Sequence, residues 1–141
     1  MAADPVLRRK VASIEHCLDR VRSLVGTDPT RLDDQTIEDA VVLNLQRACE
    51  AAIDAAMRVV ARRRLGLPQD SREAFTLLEH ASLLDGVAAD RMRKMVGFRN
   101  VAIHAYQALD RAIVKRIVLE HLTDFEAFSR AVMAVDLAQE C

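Results

Sequence analysis

Between Leu7 and Val25 the apolar residues Leu7, Val11, Ile14, Leu18, Val21 and Val25 recur at alternating steps of four and three. That spacing draws one apolar stripe down a helix. The same rhythm returns in Ile37, Val41, Leu45, Ala48, Ala52, Ala55 and Val59, widened by Cys49, Ile53 and Met57. A chain patterned this way buries its stripes by laying helices side by side. Four glycines and three prolines in 141 residues leave few turns, so the elements are few and long. Hydrophobic residues make up 51% and aromatic ones 4%, a mixture that favours packed helices over sheets.

Local signals set the boundaries. Asp4 before Pro5 caps a first helix over Pro5 to Val25, and Gly26-Thr27-Asp28-Pro29 ends it. A second helix runs from Asp34 to Leu65 and stops at Gly66-Leu67-Pro68. At ~1.5 Å per residue it spans ~45 Å, longer than a domain of this size is wide, so a second copy of the chain is expected over the overhang. Asp70 and Glu73 form a capping pair for a third helix carrying Phe75, Leu78 and Ala81 inward. A fourth begins near Val87 and passes through Ala88, Met92, Met95 and Val96 to Arg99. Beyond Tyr106 a further helix turns Leu109, Ile113, Ile117 and Val118 inward. Thr123 and Glu126 read as the capping box of a last helix with Phe125, Phe128, Val132 and Val135 in the core. The expected fold is all-α, an up-and-down bundle of four to six helices forming one domain over residues 1–141.

Charge and cysteine content narrow the function. A formal net charge of −1 argues against a broad cationic surface for long nucleic acids. Arginines do cluster, at Arg58, Arg62, Arg63 and Arg64 and again, with Lys94, at Arg91, Arg93 and Arg99. Such clusters are ordinarily the wet face of a helix, although the guanidinium fork also suits phosphate. Cys17, Cys49 and Cys141 stand far apart with no CxxC pair, so no metal site is expected; Cys17 and Cys49 read as core residues. With neither a signal-peptide pattern nor a membrane-length apolar run, the expected setting is the cytoplasm.

One segment breaks the pattern. From Gly97 to Tyr106, glycine, arginine, asparagine, histidine and tyrosine fall within otherwise hydrophobic sequence, and Arg99 takes a place due to an apolar residue. A guanidinium there needs a partner, for which Asp90 and Glu50 are candidates. Arg99 and His104 lie about 140° apart on an ideal helix, whereas Asn100 with His104, and Arg99 with Tyr106, would share faces. For Arg99 and His104 to meet one phosphate, the helix loosens near His104 or two chains combine. On spacing alone, a satisfied histidine and tyrosine at a helix end remain the plainer reading.

The segment RNVAIHAY resembles the defining motif of HEPN-domain ribonucleases, an arginine followed after four residues by a histidine, with the H-x-Y extension of HepT toxins. The resemblance extends through the stretch from Asp39 to Asp54, through Arg72 to Phe75 and through Met95 to Asn100. It implies a homodimer with its active site between two copies of the motif. Arg99 and His104 would then be catalytic, Asn100 supporting, and the cleavage of RNA independent of metal or cofactor. It also implies the toxin of a type II toxin–antitoxin system, whose partner, an MntA-like nucleotidyltransferase antitoxin, neutralises it by adenylylating Tyr106. An adenylate there would set a bulky anion beside Arg99.

The implied chemistry is attack of a ribose 2′-hydroxyl on the adjacent phosphate, leaving a cyclic phosphate, which DNA cannot undergo. Imidazole exchanges protons near neutral pH, and a fixed guanidinium stabilises charge gathering on phosphate oxygens. Two rival readings stay open. The chain could be a non-catalytic nucleotide- or substrate-binding companion of a nucleotidyltransferase, or a structural dimer whose polar segment only satisfies buried groups.

Overall fold

The computed structural model describes residues 4–140, with side chains described as far as Ala138. Every regular element among them is helical. Helix α1 (Pro5–Val25) begins at Asp4, whose carboxylate accepts the Val6 N–H at 3.1 Å, and ends where Gly26 takes a φ of +60°. A short 3-10 turn (Pro29–Asp33) delivers the buried Leu32 and leads to Asp34, which caps α2 (Gln35–Arg63) by accepting from Thr36 and Ile37. The stop of α2 comes before the expected Gly66: Arg64 adopts the left-handed conformation and the Leu65 N–H reaches back to the Val60 carbonyl at 3.0 Å. Asp70 caps α3 (Ser71–His80) and Asp85 caps α4 (Gly86–His104).

Helix α2 is the axis of the bundle. Helix α1 packs along it, α3 and α4 pack against it and against each other, and the C-terminal helix closes on α1, α2 and α4. From Val41 to Val60 it is buried nearly all round, with Ala48, Ala51, Ala52, Ala55 and Ala56 letting neighbours approach closely. The chain's own helices therefore cover its middle, while residues 35–36 and 61–63 at its two ends are exposed. Cys17 and Cys49 are buried as expected, while Cys141 lies outside the described residues. Phe75 of α3 meets Phe128 edge-on, ring centres 5.5 Å apart, tying the C-terminal helix to α3.

The C-terminal third departs from the sequence reading. Helix α5 (Arg111–Arg116) continues through a π-helical turn (Ile117–His121) into α6 (Leu122–Glu140) without a break. Thr123 thus begins no helix, because the residues before it already are helical. Asp124 turns inward instead, accepting from Arg91 at 2.9 Å and lying 2.9 Å from His121 Nδ1. The inward stripe also differs. Val114 is fully buried and Ile113 is 50% exposed, so the core runs Val114, Ile117, Leu122, Phe125. The step of five from Ile117 to Leu122 is the wider π turn itself.

Candidate active site

The motif helix stays regular to its last residue. The Ala105 N–H reaches the Val101 carbonyl at 2.9 Å, and only at Ala105, with φ −145° and ψ 44°, does the backbone leave the helix. There is no loosening at His104. Arg99 and His104 therefore keep about 140° of separation around α4. Arg99 points toward α2 and α3, and His104 is exposed.

Arg99 is a tethered cation. Its side chain is 18% exposed, with Nη1 at 3.4 Å from Glu50 Oε1 and Nη2 donating to Ser71 Oγ at 3.1 Å. Its Nε is buried and has no hydrogen-bond partner among the described residues. Of the two carboxylates the sequence offered, Glu50 is the partner, and Asp90 pairs with Lys94. Ser71 has no signal in the sequence, since it reads only as the residue after a helix cap. Asn100 is half-buried, one residue beyond Arg99 on α4.

Tyr106 lies beyond α4, in a short 3-10 turn (Tyr106–Ala108), so the helical face it was expected to share with Arg99 does not exist. Its hydroxyl donates to Asp39, in the second turn of α2. Asp39 also accepts from Gln35 Nε2 at 2.8 Å. Burial and then the Asp39 carboxylate push the Tyr106 phenol up to about 12. The donated bonds from Tyr106 and Gln35 hold Asp39 below the usual carboxylate range. Asp39 and Glu50 are eleven residues apart on α2, roughly 16 Å along one face of it at ~1.5 Å per residue. The phenol thus sits near acidic groups, and the expected proximity of an adenylate to Arg99 is not met within one chain. Next along the chain, Arg111 Nε meets the buried Glu38 at 2.7 Å. These two contacts pin the segment 105–110 to the start of α2.

A groove of about 980 Å³ lies between α4 and the run from Ala108 to Asp124. Val87, Phe98, Val101 and Ile113 make it apolar, and Lys94, Arg116 and Asp90 edge it with charge of both signs. His104 stands seven residues beyond Gly97, a lining residue, and so about 20° from it around the helix. Most basic residues the sequence singled out are structural. Arg58 and Arg62 reach Asp4, Arg91 reaches Asp124 and Arg93 reaches Glu79. No group of His, Cys, Asp and Glu among the described residues could hold a metal ion.

The site is thus an unbroken helix bearing a tethered arginine and, five residues on, an exposed histidine, within an all-helical bundle. The chain belongs to the ribonuclease HepT-like family, whose model matches residues 14–132. It is 42% identical over 129 residues to the mRNA nuclease HepT of Shewanella oneidensis, covering 92% of this chain and 97% of that protein. The crystal structure of a toxin–antitoxin with AMP-PNP holds a chain that matches with a TM-score of 0.88 at 40% identity, over 93% of this chain and 99% of that one. The tri-AMPylated Shewanella oneidensis HEPN toxin in complex with MNT antitoxin matches at 0.88 and 41%, over 93% and 98%.

Proposed function

We propose that this chain is the toxin of a toxin–antitoxin pair, a metal-independent endoribonuclease working through Arg99 and His104 of two copies. Arg99 carries the reading. A guanidinium on the inward face of a helix is costly unless it is paired. This one is fixed by Glu50 and Ser71, retains an unpartnered Nε, and precedes an exposed histidine by five residues. Because α4 stays helical between them, the arginine of one copy and the histidine of another converge more readily than the pair within a chain. The apolar groove that Gly97 and Val101 of the same helix line, edged by charges of both signs, is the face on which we seat the second copy.

In the cleft, His104 takes the proton of a ribose 2′-hydroxyl as that oxygen attacks the adjacent phosphorus. Arg99 stabilises the charge spread over the phosphate oxygens. The bond to the 5′-oxygen breaks, leaving a 2′,3′-cyclic phosphate, and the second histidine protonates the leaving oxygen. Asn100 supports the cleft. A nucleotidyltransferase antitoxin of the MntA type adenylylates Tyr106, two residues beyond His104, and the bulky anion closes that end of the cleft to RNA. The AMPylated Shewanella toxin supports this arrangement. No helix among the described residues is long and apolar enough to cross a membrane; the cytoplasm, where RNA and ATP meet, is the setting we assign.

The test is incubation of unmodified protein with cellular RNA in excess EDTA. The parent should cleave, and Arg99→Ala and His104→Ala should each lose at least about a hundredfold in rate. Cleavage persisting in both variants would place the chemistry elsewhere. Absence of cleavage by the parent, with a change in the antitoxin's activity on mixing, would favour the non-catalytic companion.

A further inference from the structure

We propose that Asp39 is the general base for modification of Tyr106: it orients the phenol and takes its proton as the oxygen is nucleotidylated. The inference rests on the reading of Tyr106 as the modified residue. The geometry that carries it is the hydrogen bond from the Tyr106 hydroxyl to the Asp39 carboxylate. Gln35, one turn earlier on α2, donates to the same carboxylate at 2.8 Å and fixes it. Asp39 is exposed and Tyr106 is 39% exposed, so an incoming α-phosphate can approach the oxygen that the carboxylate already holds.

The need for a base follows from the phenol's surroundings. A tyrosine can be activated by ionising it beside a cation or by removing its proton during attack. Here burial opposes ionisation first and the neighbouring charges of Asp39 and Glu38 oppose it further, so the phenol titrates far above neutral pH. The nearby Arg111 is engaged with Glu38 at 2.7 Å and with the Asp33 carbonyl and Gln35. Ionisation is disfavoured at neutral pH, while the Asp39 carboxylate, held below its usual range, already accepts the hydroxyl's hydrogen bond.

The step balances simply. Tyr106 Oη attacks the α-phosphorus of ATP bound by the antitoxin, and the Oη–P bond forms. The bond from that phosphorus to pyrophosphate breaks, and pyrophosphate leaves with the electron pair. The phenolic proton passes to Asp39 and then to water. The product oxygen has no hydrogen left to donate and carries an anionic diester beside Asp39 and Glu38, so like-charge repulsion expels it from the contact.

The experiment measures the initial rate of AMP incorporation from labelled ATP with purified antitoxin, from pH 6.5 to 9.5. The substrates are the parent, Asp39→Asn, Asp39→Glu and Tyr106→Phe. Dividing the parental rate by the Asp39→Asn rate at each pH cancels the antitoxin's own pH dependence. The ratio should be about a hundred near pH 7 and fall toward a few-fold at pH 9.5, as unassisted ionisation replaces the lost base. Asp39→Glu should recover part of the rate. A ratio near one, or a deficit unchanged across pH, would overturn the role of Asp39, since a merely structural contact has no reason to weaken with alkali. Tyr106→Phe labelled as fast as the parent would instead overturn the underlying reading of Tyr106.

Discussion

Arg99 shows how much a single side chain can specify. On a helix otherwise faced with Met92, Met95 and Val96, an arginine costs desolvation free energy that only partners return. Glu50 and Ser71 supply them, from α2 and from the first residue of α3. Glu50→Gln removes the opposing charge while keeping the shape. Cleavage should fall roughly tenfold, through kcat more than KM, because an unheld guanidinium samples other rotamers; single-turnover kinetics checks this. Tyr106 predicts a different dissociation. Tyr106→Phe keeps the ring and loses only the hydroxyl, so RNA cleavage should stay within about twofold of the parent while the antitoxin with ATP no longer silences it. Full silencing of that variant would remove Tyr106 from the inhibition. At this scale Arg99, His104 and Glu50 were legible because they break an apolar pattern or answer the break. Asp39 and Ser71 were not, since an acid in the second turn of a helix and a serine after a cap are ordinary there.

Among the elements, the cap residues decide where helices start and buried ion pairs decide how their ends meet. Asp4 caps α1, accepts from Arg58 Nε at 2.8 Å and donates its own N–H to Asp136 Oδ1 at 2.8 Å, so α1, α2 and α6 are joined at one buried point. The Arg58 hydrogen bond holds the Asp4 carboxyl below its ordinary range. A depressed carboxylate contributes stability above its unfolded pKa and loses it as pH falls through the folded one. Arg58→Ala should therefore lower stability at pH 7, the loss being limited by solvent screening and by Arg62, which also reaches Asp4. The difference should begin to shrink as pH falls below about 4, where the unfolded chain's carboxylate protonates, and should vanish only once the parent's depressed Asp4 carboxyl is protonated as well; urea melts across pH measure both quantities. Phe128→Ala, by contrast, opens a cavity against Phe75 and should cost about 3–5 kcal/mol at any pH. The C-terminal run also marks a limit of local reading. Thr123 to Glu126 carries capping-box chemistry, but capping needs a chain entering from outside, and the π turn brings it in already helical.

For the whole molecule the question is what a second copy adds. Arg99 and His104 stand on different sides of α4, so a two-fold pair of chains predicts complementation. Arg99→Ala and His104→Ala, each inactive, should recover measurable cleavage when refolded together, because a mixed dimer brings one chain's Arg99 to the other's His104; the recovery should stay below a quarter of parental activity, since only half of random dimers are mixed and each lacks the second histidine. No recovery, with mixed dimers demonstrated by mass, would place both residues' action within one chain. The sequence by itself determined the helices and their caps, because these rest on apolar spacing and on side chains a few residues away. It also marked Arg99, His104 and Tyr106, as polar residues in an apolar rhythm. Only the tertiary structure decided that the middle of α2 is wrapped by its own chain, that Val114 rather than Ile113 faces the core, and that the phenol of Tyr106 meets Asp39 rather than the surroundings of Arg99. Each of these joins residues tens of positions apart or depends on one extra residue in a helical turn. Local periodicity fixes neither, because it carries no information about which faces the packed bundle brings together.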